Sequence, residues 1–218
     1  MPRQAFEAQL QELLGDLWAM GQAVAEAIDT SVRALREQDE ALARAVIEQD
    51  DQINAMQHAI DEKCLVLIAT QQPLAHDLRT ILAASNIAAE MERIGDYAEG
   101  TARLALKLVG EPFIKPLVDI PRMAELGRSM LSSALQAFAR HDSQAALQIG
   151  EEDTAVDDLY NQVYRELLLI MMQDPRTITQ ATYLIWVAHN LERIADRTTN
   201  IAERTVFVDS GRVVDLNR

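Results

Sequence analysis

Apolar residues recur along the first part of the chain at intervals of three and four: Leu10, Leu13, Leu14, Leu17, Val24, Ile28, Val32 and Leu35. That is the period of a helix with one face turned to a core, and it predicts a helix over residues 4–36. Asp39 then stands where an N-cap belongs, and a second helical pattern runs to about Gln71. Pro73 closes it, and a third runs from about Leu74 to Val109. The stretch Gly110-Glu111-Pro112-Phe113-Ile114-Lys115-Pro116 cannot continue a helix, because its prolines lack the N–H donor; it is the expected linker. The pattern then resumes. A fourth helix is predicted from about Ile120 to Arg140, with Asp142 as the next cap, a fifth to about Gln173, a break at Pro175, and a sixth to about Val208. Asp209 to Arg218 has no clear period and is expected to be a loose tail.

Three helices, a Pro-containing linker and three more helices suggest a duplication, and the sequence supports one. Asp39 matches Asp142, Glu48-Gln49-Asp50 matches Glu151-Glu152-Asp153, and Pro73 matches Pro175. Met91-Glu92-Arg93-Ile94-Gly95-Asp96 matches Leu191-Glu192-Arg193-Ile194-Ala195-Asp196 in the equivalent third helices. The predicted fold is all-α: two tandem antiparallel three-helix bundles, six helices in all. The first repeat is placed at 1–110, the second at 117–208 and the tail at 209–218. Helices of this length are each about 45 Å long, at a rise of about 1.5 Å per residue.

Composition narrows the functional classes. With 8 Gly, 6 Pro and 49% apolar residues, the chain has the makings of a folded helical protein. A formal charge of −14 repels phosphate backbones and argues against nucleic acid as a partner, while it suits cations or a basic protein surface. Cys64 is the one cysteine and sits in the apolar run Cys64-Leu65-Val66-Leu67-Ile68, as a buried small hydrophobe would. No intramolecular disulfide can form, which fits a reducing compartment. The N-terminus does not read as a signal peptide, and the aliphatic stretches fall short of the roughly 20 residues needed to span a bilayer. Membrane contact is therefore expected only through a partner.

The candidate chemistry is acidic. Glu92 with Asp96, and Glu192 with Asp196, are spaced by four, so each pair shares one helix face. Two like charges there destabilise a helix by a few tenths of a kcal/mol, and a divalent or trivalent cation bound by hard carboxylate oxygens would offset that cost. Ile87, Met91, Ile94, Ala98 and Ala105 form the apolar stripe of this helix, repeated by Val187, Leu191, Ile194, Thr198 and Ile201. Glu92 and Asp96 point nearly away from it, so an ion would lie on an accessible face. Plain solvated acids would have the same spacing; its repetition in both halves brings the ion level with that reading. Glu48, Asp50 and Asp51 in the second helix, and Glu151, Glu152, Asp153, Asp157 and Asp158 in the fifth, complete a site if those helices reach the same level. Arg93 could pair with Asp96, and His189, three residues before Glu192, could approach the second pair. None of His58, His76, His141 and His189 follows a glutamate by three, so the Glu-x-x-His pair of di-iron bundles is absent. The chain has no glycine-rich nucleotide loop, no Gly-x-Ser-x-Gly, no cysteine zinc motif and no activated nucleophile. A non-enzymatic role is expected.

Two three-helix repeats, each with Glu-Arg-Ile-Gly/Ala-Asp in its third helix, closely resemble the PhoU family of phosphate-signalling regulators. The resemblance covers essentially the whole chain, including Pro73 and Pro175, Asp77-Leu78-Arg79 and Asn200-Ile201-Ala202-Glu203. It implies a cytoplasmic negative regulator that couples the ATPase subunit of the phosphate ABC transporter to a phosphate-sensing histidine kinase and holds down uptake and the starvation response. It also implies metal ions, in some members multinuclear iron clusters, with zinc, manganese or magnesium as alternatives, and a homodimer. Carried over by position, the ligands are Glu92, Asp96, Glu192 and Asp196, with Asp50, Asp153 and Asp157 as lesser candidates. Two departures stand out. Gly100 stands where the second repeat has Asn200, which would leave the first site poorer in ligands. Arg176-Thr177-Ile178-Thr179 replaces His76-Asp77-Leu78-Arg79, so the two faces could serve different partners. The alternative reading is a metal-storing or metal-buffering bundle with no signalling role.

Overall fold

Runs of good helix formers between sparse Gly and Pro become six long helices in a computed structural model, which describes the backbone of residues 2–217 and the side chains from Gln4 to Asn217. They are α1 (Pro2–Glu37), α2 (Glu40–Gln71), α3 (His76–Leu108), α4 (Asp119–Arg140), α5 (Ser143–Gln173) and α6 (Ile178–Ser210). A 3₁₀ turn at Pro175–Thr177 leads into α6.

The caps expected from sequence are in place. The Asp39 carboxylate accepts from the N–H groups of Ala41 (2.8 Å) and Leu42 (3.1 Å), and that of Asp142 accepts from Ala145 N–H (3.0 Å). Each satisfies donors that the first turn leaves free. The third helix begins at His76 rather than near Leu74, because the chain turns through left-handed backbone at Gln72 and Ala75, where φ is +49° and +43°. The linker leaves α3 through Gly110 at φ +82°, a conformation that favours glycine. Gln180 of α6 fastens it: its side chain accepts from Ile114 N–H (2.6 Å) and donates to Pro112 O (3.1 Å).

α2 packs against α1 and α3, and α5 against α4 and α6. The halves join through α3 on α6, the most extensive helix pairing, and through α1 on α4. Four helices (α1, α3, α4, α6) therefore make the centre, and α2 and α5 flank it. Contacts across the main seam run Arg79–Val208, Glu90–Asn200, Thr101–Asn190 and Lys107–Tyr183, so α3 and α6 are antiparallel. In the first of these, Arg79 Nε donates to Val208 O (3.1 Å), one of the last carbonyls of α6.

Helices buried on several sides need small side chains where they approach most closely. α3 and α6 supply Ala83, Ala84, Ala88, Ala98 and Ala102, and Ala181, Ala188, Ala195 and Ala202, all buried. Cys64 is buried too, and burial pushes its thiol up to about 12, so it is an inert core residue.

The expected loose tail is tied down at individual residues between 212 and 217. Val214 and Leu216 pack against the core, and Leu216 N–H donates to Glu203 Oε1 (2.9 Å). Hydrophobic period finds helices, and this segment is held by a few individual contacts instead.

The glycines of α1 give a test of the α1–α4 contact. A Cβ at Gly21 would come 2.2 Å from Leu135 Cδ1 of α4, while one at Gly15 meets nothing within 4 Å. Gly15→Ala is expected to stabilise the fold by about 0.5–1 kcal/mol through helix propensity. Gly21→Ile is expected to cost about 1–3 kcal/mol through overpacking. Urea unfolding of the two variants checks both signs.

Candidate metal centre

The acidic pairs lie where an outer helix meets a central one. On α3, Glu92 and Asp96 share a face with Glu99, at spacings of four and three, and α2 brings Asp50 to them. Gly95 permits that approach: a Cβ there would sit 3.2 Å from Ile53 Cγ2 and 3.5 Å from Asp50 Oδ1. On α6, Glu192 and Asp196 meet Asp153 and Asp157 of α5. Glu48, Asp51, Glu151, Glu152 and Asp158 are exposed, although Asp51 and Asp158 add to the charge felt by Asp50 and Asp157.

In the second half the accessible face expected from the helical wheel is a groove, whereas in the first half Glu92 is half-buried and Asp96 is exposed, as the wheel indicated. Glu192 and Asp196 keep only 19% and 18% of their side-chain surface, and Asp153 is buried. One apolar stripe describes a helix with one neighbour. α3 and α6 each have three, so their second faces are partly covered as well.

The electrostatics follow from crowding like charges in partly dry grooves. In the second site, burial, then the charges of Asp157 and Asp196, push Asp153 up to about 6. Burial, then Asp196, push Glu192 up to about 7, although Arg193 opposes the shift. Burial raises Asp157 also, with help from Asp196 and Asp158. Two oxygens here, Asp153 Oδ1 and Glu192 Oε2, are buried without a hydrogen-bond partner. His189 Nδ1 lies 3.4 Å from Glu192 Oε2, the approach expected from sequence, without a hydrogen bond being made. Arg193 pairs with Asp196 and hydrogen-bonds to Tyr97 across the seam.

The first site is milder. Burial raises Asp50, Glu92 and Asp96, with neighbouring carboxylates adding to each. Compensation is closer to hand: Asn54 donates to Asp50 Oδ2 (3.1 Å), and Arg103 pairs with Glu99 at 2.5 Å. Arg93 turns away from Asp96, the partner expected from sequence, and pairs with Glu90 at 2.8 Å.

The two sites are related but not equal. Asn54 is the counterpart of Asp157, and Glu99 that of Thr199, so each half has four carboxylates in a different arrangement. Sequence reasoning missed Glu99, although its place one turn beyond Asp96 was a usable signal. It also misjudged Gly100 and Asn200. Both belong to the α3–α6 seam: a Cβ at Gly100 would lie 3.1 Å from Asn190 Nδ2, and Asn200 Nδ2 donates to Glu90 Oε2 at 3.1 Å. Gly100 therefore does not impoverish the first site.

The donor set suits a hard cation. Clustered carboxylate oxygens, two of them buried and unpaired, are what such an ion neutralises. Among the described residues, no three His, Cys, Asp or Glu side chains are already gathered around one point. An ion would have to draw the carboxylates together.

A carboxyl that holds its proton more tightly when folded adds stability below its unfolded pKa, near 4, and that contribution is lost as pH rises through the folded value. For Asp153 and Glu192 the loss falls between about pH 4 and pH 7. The metal-free double variant Asp153→Asn, Glu192→Gln is expected to match wild type near pH 4.5 and to be more stable at pH 8 by about 2 kcal/mol or more. Urea titrations at the two pH values measure the difference.

Known proteins share the sequence and the fold. The family described as PhoU domain matches twice, over residues 17–105 and 120–205. The chain is 38% identical over 218 residues, the whole of both chains, to a "Phosphate-specific transport system accessory protein PhoU homolog" of Clostridium acetobutylicum. It is 37% identical to the "Phosphate-specific transport system accessory protein PhoU" of Escherichia coli, over 95% of this chain and 86% of the relative. The crystal structure of PhoU from Pseudomonas aeruginosa superposes with a TM-score of 0.90 at 40% identity, covering 95% of this chain and 100% of the other. The phosphate transport system regulatory protein PhoU from Streptococcus pneumoniae also gives 0.90, at 31% identity, with 96% and 99% covered. A duplicated domain, a shared six-helix architecture and end-to-end sequence similarity lead to one conclusion: the chain belongs to the PhoU family.

Proposed function

We infer that this protein is a negative regulator of high-affinity phosphate uptake and of phosphate-starvation signalling. In this reading it is a cytoplasmic, non-enzymatic adaptor between the ATPase subunit of a phosphate ABC transporter and a phosphate-sensing histidine kinase. The carrying observation is the end-to-end similarity to proteins named as accessory proteins of a phosphate-specific transport system. Among the described residues, no helix is long and apolar enough to cross a membrane, which suits action through membrane-bound partners.

The surface supports an adaptor. Leu65 and Val66 near the end of α2 are exposed, and so are their counterparts Leu168 and Leu169 near the end of α5. Leu74 shortly after α2, Met172 at the end of α5, and Ile178 and Trp186 in α6 are exposed as well, with different side chains in the two halves. Exposed patches of this kind mark protein contacts. Their differences suit two partners, or one partner and a second copy of the chain in a homodimer. Deletion of the gene is expected to leave phosphate uptake and starvation-gene output high in phosphate-rich medium. Normal repression in the deletion strain would refute the adaptor.

The acidic grooves are the proposed metal sites. Asp50, Glu92 and Asp96, with Glu99, serve the first. Asp153, Asp157, Glu192 and Asp196 serve the second. Oxygen donors favour iron(III), manganese or magnesium, and zinc is an alternative. The ion would neutralise the crowded carboxylates, and Arg193 would be released from Asp196 as that side chain turned to it. Elemental analysis of the purified protein is expected to find bound metal, and to find none in the variant with Glu92, Asp96, Glu192 and Asp196 changed to Ala. Metal in the wild type combined with phosphate control unaffected by deletion would favour a metal-buffering protein instead.

A further inference from the structure

Residues 211–217, beyond α6, stay on the molecule. After Gly211 the chain folds back along its own helix toward the second acidic groove. Leu216 N–H donates to Glu203 Oε1 (2.9 Å), and the Thr199 hydroxyl donates to Asn217 Oδ1. Asn217 Nδ2 lies within 3.4 Å of the backbone oxygen of Asp196, and within 3.5 Å of Asn200 Oδ1. Across the groove, Leu216 lies on α5: a Cβ at Gly150 would be 3.4 Å from Leu216 Cβ and 3.7 Å from its carbonyl oxygen.

These anchors share the level of the acids. Gly150 is one helical turn before Asp153 and on the same side of α5. Thr199 and Glu203 continue the side of α6 that carries Asp196. The segment therefore spans from α5 to α6 across one end of the second site. Gly150, at the one position of α5 where a glycine occurs, leaves room for Leu216 to lie close. Among the described residues, no returning segment crosses the first site. Its Glu99, the counterpart of Thr199, is held by Arg103 instead of by a returning segment.

We propose that residues 211–217 are a strap that closes one end of the second acidic groove, so that an ion held there exchanges only when the strap lifts, while the first site exchanges freely. The inference rests on the metal reading of the grooves for its ion, though not for the strap itself. Its hold is light enough to release. Leu216 and Val214 are the half-buried residues of the segment, and Arg212, Val213, Asp215 and Asn217 are exposed.

The strap can be locked through its own geometry. The Cβ separation at Gly150 and Leu216 is close to the roughly 3.5–4.5 Å of a disulfide, so Gly150→Cys with Leu216→Cys is expected to give a strap pinned by oxidation and freed by reduction. The first site is silenced with Glu92→Gln and Asp96→Asn, the protein is loaded with Mn(II), and release to EDTA is timed in both forms. Release is expected to be at least tenfold slower in the oxidised form. Equal rates overturn the strap. If neither form binds Mn(II), nor the wild-type chain, the metal reading of the grooves fails and the strap is judged separately. Carbodiimide labelling of Asp153, Asp157, Glu192 and Asp196, located by mass spectrometry, is then expected to be lower in the oxidised form, and equal labelling overturns the strap. The double cysteine variant without the silencing changes serves as a control, since its Glu92 and Asp96 are expected to label equally in both forms.

Discussion

The close antiparallel contact of α3 with α6 sets the rest of the molecule. Each of these helices has neighbours on three sides, and neither could pack so tightly with large side chains throughout. Buried alanines on both helices leave room for close packing, and a few polar groups fix the register: Glu90 with Asn200, Asn190 with Thr101, Arg193 with Tyr97. Once α3 and α6 are side by side, their remaining faces turn outward toward α2 and α5. The acidic pairs lie on those faces. The placement of both candidate sites is therefore a consequence of how the halves join.

That arrangement opposes stability. Carboxylates brought together in half-dry grooves resist ionisation, and Asp153 and Glu192 show it most. A fold selected for stability alone would place apolar or neutral residues there. Acids at such positions, with buried oxygens that lack hydrogen-bond partners, fit the metal sites proposed above. The surface acids Glu48 and Glu152 are the contrast: similar in sequence and exposed.

Much of this was legible in the residues, because the signals were local or repeated. Helix ends followed from Asp39, Asp142, Pro73 and Pro175, and the duplication from the two Glu-Arg-Ile-x-Asp segments. The candidate pairs were legible as pairs, since a spacing of four fixes a shared face. Burial was not. A helical wheel places residues around one axis and is silent on how many neighbours the axis has, so the second groove read as open surface, while Asp96 of the first is exposed as the wheel placed it. Partner choice was equally beyond it: Arg93 was free to bond at spacings of three on either side and took Glu90. The tail had no period to detect, because two half-buried residues and a few hydrogen bonds hold it.

Duplication followed by divergence explains why the halves differ in electrostatics while sharing a backbone. In the first half, Asn54 gives Asp50 a donor and Arg103 gives Glu99 a counter-charge, so its acids are already partly satisfied. In the second half, the counterpart of Asn54 is Asp157, another acid, and the counterpart of Glu99 is the neutral Thr199, which turns to Asn217. The second groove is thus more deeply buried and less compensated, and it is the one a chain segment crosses. Greater desolvation strengthens the pull on a cation, since charges attract more strongly where water is excluded. A crossing segment slows its escape. Affinity and residence time would rise together in the second site, and the first would remain the readily exchanging one. One fold could in this way hold one ion as a fixed part of its structure and sample another from solution.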